Sequence, residues 1–179
     1  MLEGKLVNLR VMEKEDIPLF AEWFNTPEFM GDYSRLPQSS RVETEKMLES
    51  PLELKPFIIE KKDGTKIGFI AHFHVLHPFR QLEIGFALVP TERGKGYCTE
   101  AVQIMVDFLF LSRETMRIQA TTDTRNLGSQ KVLEKTGFKK EGTLRKYGFV
   151  RGELRDQYLY SILREEWKEP RILTSSISS

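Results

Sequence analysis

Leu82-Glu83-Ile84-Gly85-Phe86-Ala87-Leu88-Val89 runs straight into Pro90-Thr91-Glu92-Arg93-Gly94-Lys95-Gly96-Tyr97-Cys98-Thr99-Glu100-Ala101. The first eight residues read as a strand, closed by Pro90. The stretch from Ala101 to Leu111 is apolar except at Gln103 and Asp107. It is far too short to span a bilayer and reads as a buried helix, from about Thr99 to Ser112. Between strand and helix lie only Gly94, Gly96 and their neighbours. Glycines let the backbone fold tightly enough for several N–H groups to point at one place. The helix start adds orphan donors and a partial positive charge, so the turn is suited to a phosphate or pyrophosphate. Arg93 and Lys95 are expected to add charge at its rim. The spacing of a nucleotide-triphosphate loop is absent, and a dinucleotide fingerprint fails because Thr99 stands where the third Gly belongs. Taken alone, the turn is equally well an ordinary surface loop.

Upstream, Leu6 to Val11 alternates weakly and reads as an opening strand. Asp16 is placed to cap a helix with the stripe Leu19, Phe20, Trp23 and Phe24, and Pro18 falls in its first turn. A loop from Thr26 to Ser39 follows, then Ser40 and Glu43 at capping-box spacing for a short helix ending before Pro51. Lys62-Asp63-Gly64 joins two strands, around Phe57-Ile58-Ile59 and from Lys66 to Phe73, as a tight hairpin. Downstream, Met116 to Thr122 alternates as a strand, Leu127 to Lys135 is a helix stopped by Gly137, and Phe138 to Leu163 gives two strands with a bend near Arg151-Gly152. The expectation is one α+β domain over residues 1–169, with a single mixed, mostly antiparallel sheet of six to seven strands and about four helices. Residues 170–179 read as a flexible tail.

The chain has 179 residues and a net charge of +1, enough length for a proper core and too little charge for a broadly basic nucleic-acid coat. Lys139, Lys140, Arg145, Lys146 and Arg151 alternate with Glu141 and Glu153, so a solvated strand face is expected rather than a nucleic-acid surface. The charge is uneven: residues 1–90 carry a net of −3 and residues 91–179 a net of +4. One cysteine excludes an internal disulfide and a cysteine-rich zinc site. With no signal peptide or spanning segment readable, a cytoplasmic protein without a membrane partner is expected. His72, His74 and His77 form His-x-His-x-x-His, but no carboxylate or Cys at fitting spacing accompanies them. A structural role is favoured over pocket lining, and no metal is expected.

Arg93-x-x-Gly96-x-Cys98 after this strand, with Glu83 near its start, resembles the acetyl-coenzyme A loop of the GNAT superfamily of N-acetyltransferases. The likeness continues through Asn126-Leu127-Gly128-Ser129-Gln130-Lys131-Val132-Leu133-Glu134-Lys135-Thr136-Gly137-Phe138 with Glu141-Gly142. Together with Asp156 to Leu163 and Arg164-Glu165-Glu166-Trp167, it is similar to the RimJ/RimL branch, the ribosomal-protein N-terminal acetyltransferases. It spans roughly residues 5–167. It implies a GNAT fold with strands splayed around the coenzyme, acetyl-CoA as co-substrate, an amine acceptor and direct attack in a ternary complex. Within the superfamily the acceptor ranges over protein N-termini, polyamines, amino-acid-like antibiotics and aminoglycosides. Homodimers are among the assemblies allowed. A degenerate, non-catalytic domain that binds acyl-CoA as sensor or scaffold stays open beside the enzyme.

The resemblance also implies roles. Backbone groups of Ala87, Leu88 and Val89 would meet the pantetheine arm, with an N–H near Leu88 for the thioester oxygen. Arg93, Gly94, Lys95, Gly96, Tyr97, Cys98 and Thr99 would hold the pyrophosphate. Asn126 would contact the coenzyme arm, though by itself it also reads as a helix cap. Ser129 is the candidate partner of the leaving thiolate. The position where many relatives carry a Tyr acid is Leu133, and Tyr147, Tyr158 and Tyr160 are looser alternatives. Glu83 is the candidate base, on a strand face whose other residues, Gly85 and Ala87, leave room for a substrate; a plain salt bridge is its bland alternative. Cys98 stands where the family usually has Gly or Ala; it reads first as a small buried residue, although a place close to the helix start lowers a thiol pKa. Arg125 and Lys131 could meet the coenzyme's 3′-phosphate. Glu28 and Asp32, in the loop expected to bound the acceptor, could attract a cationic amine; Trp23, Phe24 and Phe29 could line it, though Trp23 and Phe24, at helical spacing, are better core.

Overall fold

Lys62-Asp63-Gly64 turns the chain as its residues require. Gly64 takes a φ of +83° and donates to the Lys61 carbonyl, and the Asp63 carboxylate accepts the Thr65 N–H at 2.9 Å. The two strands so joined, β3 (Lys55–Lys61) and β4 (Lys66–His74), lie near the centre of an antiparallel run. The computed structural model of the chain describes residues 1–35, 37–49, 54–75 and 81–172.

Around that hairpin the elements follow in chain order. β1 (Leu2–Glu3) and β2 (Val7–Val11) precede the helices α1 (Ile17–Asn25), α2 (Pro27–Met30) and α3 (Arg41–Leu48). After β4 come β5 (Leu82–Leu88), α4 (Tyr97–Ser112), β6 (Arg117–Asp123), α5 (Leu127–Lys135), β7 (Lys139–Val150) and β8 (Glu153–Leu163). The sheet order is β1-β2-β3-β4-β5-β6-β8-β7, with β5 and β6 parallel and every other pair antiparallel.

This is the expected α+β class and fold, with eight strands rather than six to seven and five α-helices rather than four among the described residues. The extra strand is β1, two residues pairing Leu2 with Leu9. The extra helix is α2, a single turn between Pro27 and Gly31 in what reads from sequence as loop. A proline at the first helical position and a glycine just past the end define so short a helix without any apolar period.

Two apolar layers cover the sheet. On one side α4 buries Ala101, Ile104, Met105 and Leu109 against Leu9, Ile59, Ile70 and Ile118. On the other, α1 and α2 bury Phe20, Trp23 and Phe29 against Ile58, Phe69 and Ala71, with Trp23 stacked on Phe29 at 5.1 Å. Trp23 is therefore core, as its place in the α1 stripe suggests, while Phe29 is buried here and also lines the cleft described below.

Buried carboxylates fasten the framework. Glu100, in the first turn of α4, accepts the N–H groups of Lys5, Leu6 and Val7 at 2.9, 2.6 and 2.8 Å. Asp16 sits at the start of α1 without capping it by its side chain. It is taken up by Arg10 and Lys66 at 2.8 and 2.6 Å, which hold it well below the usual carboxylate range although its burial acts the other way. Asp107 accepts from the Trp167 indole and from the N–H groups of Arg171 and Ile172. The first residues of the expected tail are thus pinned to α4; residues 173–179 lie outside the described set.

Candidate active site

The main-chain direction of β5 decides what this strand offers. The Val89 N–H donates to the Ile67 carbonyl at 2.9 Å, so the odd-numbered residues of β5 turn their backbone groups to β4. The even-numbered residues turn theirs toward β6. Yet β6 meets β5 only at Leu82↔Ile118 and Glu83↔Gln119; beyond Glu83 the two strands part. Phe86 and Leu88 therefore present main-chain groups to an open gap. The Leu88 carbonyl is occupied by Arg93 Nε at 3.0 Å, which leaves its N–H facing the gap. Of the three residues expected to offer backbone contacts, Ala87 turns its groups to β4, Val89 donates to β4 and accepts the Glu92 N–H, and Leu88 alone faces the opening.

A cleft of about 750 Å³ continues from this gap. Its floor is the turn after β5, where Gly94 and Gly96 adopt φ of +77° and +88°. A Cβ on Gly94 would meet nothing within 4 Å, and one on Gly96 only Leu6 at 3.8 Å. The left-handed backbone, not lack of space, selects glycine there. Gly96 is the N-cap of α4, and Tyr97, Cys98 and Thr99, the helix's first residues, line the cleft with Arg93. Ala87, Leu88, Asn126 and Ser129 line it as well; Glu83, Val89 and Lys95 do not.

The two expected rim cations do other work. Besides Leu88, Arg93 donates to the Glu28 and Phe29 carbonyls at 3.2 and 2.7 Å, and Lys95 pairs with Glu92 at 3.2 Å. What the turn offers an anion is therefore its backbone N–H groups and the α4 N-terminus. At Cys98 burial pushes the thiol up to about 12, outweighing the nearby Arg93, which favours the small buried residue over the lowered thiol of a helix start.

Asn126 caps α5, its Oδ1 accepting the Ser129 N–H at 3.1 Å, and still lines the cleft. Lys131 lines the cleft too; Arg125 instead pairs with Asp123 and Glu153. Glu83 lies at the closed end of the gap. Its oxygens accept from Gln119 Nε2 at 3.0 Å and Thr121 Oγ1 at 2.9 Å, two groups of β6. Tyr160 is buried with its hydroxyl donating to Glu134, and Tyr147 is exposed; neither lines the cleft. His72 is buried beside Phe57 and Phe108, its ring 6.3 and 6.4 Å from theirs. His77 lies outside the described residues, among which no group of three ligand-type side chains gathers.

The sequence reading missed several lining residues: Gly128, Val132 and Lys135 of α5, and Arg151 from the β7–β8 turn. Lys135 follows Lys131 by one helical turn, a spacing that could have flagged it. Arg151 carries no local signal.

The profile of the acetyltransferase (GNAT) domain matches residues 7–139, and the chain belongs to that family of acetyl-CoA-dependent N-acetyltransferases. It is 34% identical over 178 residues to the probable N-acetyltransferase YjcK of Bacillus subtilis, covering 93% of this chain and 98% of that protein. Among solved structures it resembles spermidine N-acetyltransferase from Vibrio cholerae in complex with CoA and spermine, with a TM-score of 0.81 and 21% identity over 92% and 99% of the two chains. It also resembles the ribosomal-protein-S5-alanine acetyltransferase of Vibrio fischeri, with a TM-score of 0.76 and 24% identity over 93% and 98%.

Proposed function

We propose that this chain transfers the acetyl group of acetyl-CoA to a primary amine, on a protein N-terminus or a small molecule, by direct attack in a ternary complex. The observation that carries the reading is the parting of β5 and β6, with the Leu88 N–H facing the gap and Glu83 at its closed end. The Leu88 N–H is placed to polarise the thioester oxygen as charge develops there. The pyrophosphate lies on the amides at Gly94 to Thr99, and Asn126 meets the coenzyme arm. Ser129, on the first turn of α5, donates to the departing thiolate.

Glu83 is the base. A lysine-like amine with pKa ~10.4 is about one part in two thousand neutral at pH 7, a cost of roughly 4–5 kcal/mol, whereas an α-amino group near ~7.8 costs about 1 kcal/mol. Five residues of strand, roughly 16 Å, separate Glu83 from Leu88, so the proton travels through water. Gln119 and Thr121 fix the carboxylate for that task. The acceptor enters past the segment 27–34, and the likeness to the RimJ/RimL branch favours a protein N-terminus.

The test is thiol release from acetyl-CoA with a panel of spermidine, alanine- and serine-initiated peptides, an aminoglycoside and an amino-acid-like antibiotic. Saturable turnover is expected with at least one. With that amine, Glu83→Gln is expected to lower kcat/KM about 100-fold near pH 7, the deficit narrowing as pH rises toward the amine's own pKa. A deficit that stays flat with pH removes Glu83 from the base role, and coenzyme binding without turnover of any amine points to a sensor.

A further inference from the structure

The outer wall of the cleft, residues 27–34, hangs on arginines from distant elements. Arg93 donates to the Glu28 and Phe29 carbonyls. Arg155 of β8 donates to the Asp32 carbonyl at 3.0 Å. Arg151 donates to the Gly31 carbonyl at 3.2 Å and lies 3.4 Å from the Asp32 carboxylate. Phe29 anchors the wall's base in the core, but its rim at Gly31 and Asp32 is reached by Arg151 and Arg155.

Arg151 stands out among the three for a backbone reason. Val150↔Glu153 closes the β7–β8 hairpin, so the loop is Arg151-Gly152 alone, with φ of +50° and +84°. Positive φ at both central residues is a type I′ turn, whose first position favours Asn, Asp or Gly. An arginine there is strained, and such strain marks a position kept for what its side chain does. Here the side chain lines the cleft and crosses to a segment 120 residues away.

We propose that Arg151 is a positioning residue that sets the acceptor mouth of the cleft by holding the rim of the wall across it. This rests on the acetyl-transfer reading for what passes the mouth. Arg151 also answers the Asp32 carboxylate, so a cationic acceptor meets a wall whose acid is already engaged.

The test is Arg151→Asn, which places a residue suited to the turn where the guanidinium was. The melting temperature is expected to hold or to rise by about 1–3 °C. The Kd for coenzyme A is expected to stay within about twofold, and KM for the fastest monoamine of the panel to rise about 5- to 20-fold with kcat little changed. Acrylamide quenching of tryptophan fluorescence should increase, because Trp23 lies under Phe29 of this wall. Arg151→Lys should recover part of the KM. A fall in melting temperature that tracks the loss of activity reduces Arg151 to a fold-stabilising residue and overturns the proposal, as does an unchanged KM. If the wild-type protein turns over no amine, the acetyl-transfer reading fails on its own, and the quenching still decides: unchanged quenching overturns the role of Arg151.

Discussion

On the reading proposed above, the coenzyme side and the acceptor side of one cleft are built in opposite ways. On the coenzyme side, the strand end, the two left-handed glycines and the start of α4 are neighbours in sequence, and the groups they offer are backbone amides. On the acceptor side, a four-residue helix and its following loop are held by guanidiniums arriving from 64 to 123 residues away. A short-range motif can specify the first wall by itself. The second exists only once the whole sheet has assembled, and Arg93, from the first wall's own turn, is among the residues that hold it.

The coenzyme wall should fail hardest where its scaffold is buried. Glu100→Gln puts an amide donor against three backbone N–H groups and is expected to destabilise the fold by about 2–3 kcal/mol, read as a fall in urea midpoint. A fall of that size shows that the coenzyme wall too leans on a long-range anchor, whereas a midpoint that holds leaves it to its own short-range motif and sharpens the contrast. Next comes Gly96→Val, which forces a β-branched residue into φ near +88°. Coenzyme A affinity is expected to drop about tenfold by calorimetry, since left-handed strain of roughly 1–2 kcal/mol must be borne or the turn must reshape. The smallest effect sharpens the comparison most. Lys131→Ala should weaken coenzyme A only about two- to fivefold and leave dephospho-coenzyme A unaffected, because an exposed lysine meets a phosphate as a screened point charge. An equal loss with both ligands would move Lys131 off the 3′-phosphate.

Legibility follows the same division. The strand from Leu82, the hairpin at Lys62-Asp63-Gly64, the capping box of Ser40 and Glu43 and the stop at Gly137 all stand in the structure where their residues place them, because each is set by contacts within a few positions. Glycine spacing also exposed the turn at Gly94 and Gly96. The side chains of Arg93 and Asp16 were read less well. Local logic assigned them a phosphate and a helix cap, while the assembled fold supplied stronger partners. The division of charge between the chain's halves is likewise incomplete: Glu28 and Asp32 do lie on the wall of the acidic half, but Arg93 and Arg151 of the basic half are bound to that same wall.

The parting of β5 from β6 has a mechanical consequence. Five strands lie on one side of the seam and three on the other, and among the described backbone the ladder across it is two residue pairs long. Glu83, through Gln119 and Thr121, is the clasp at the foot of that seam. The sheet is thus two leaves bound along a short spine. What keeps the leaves from swinging is α4, whose apolar face rests on Leu9, Ile59 and Ile70 of one and on Ile118 of the other, so the seam is a slot in a bound book rather than a hinge.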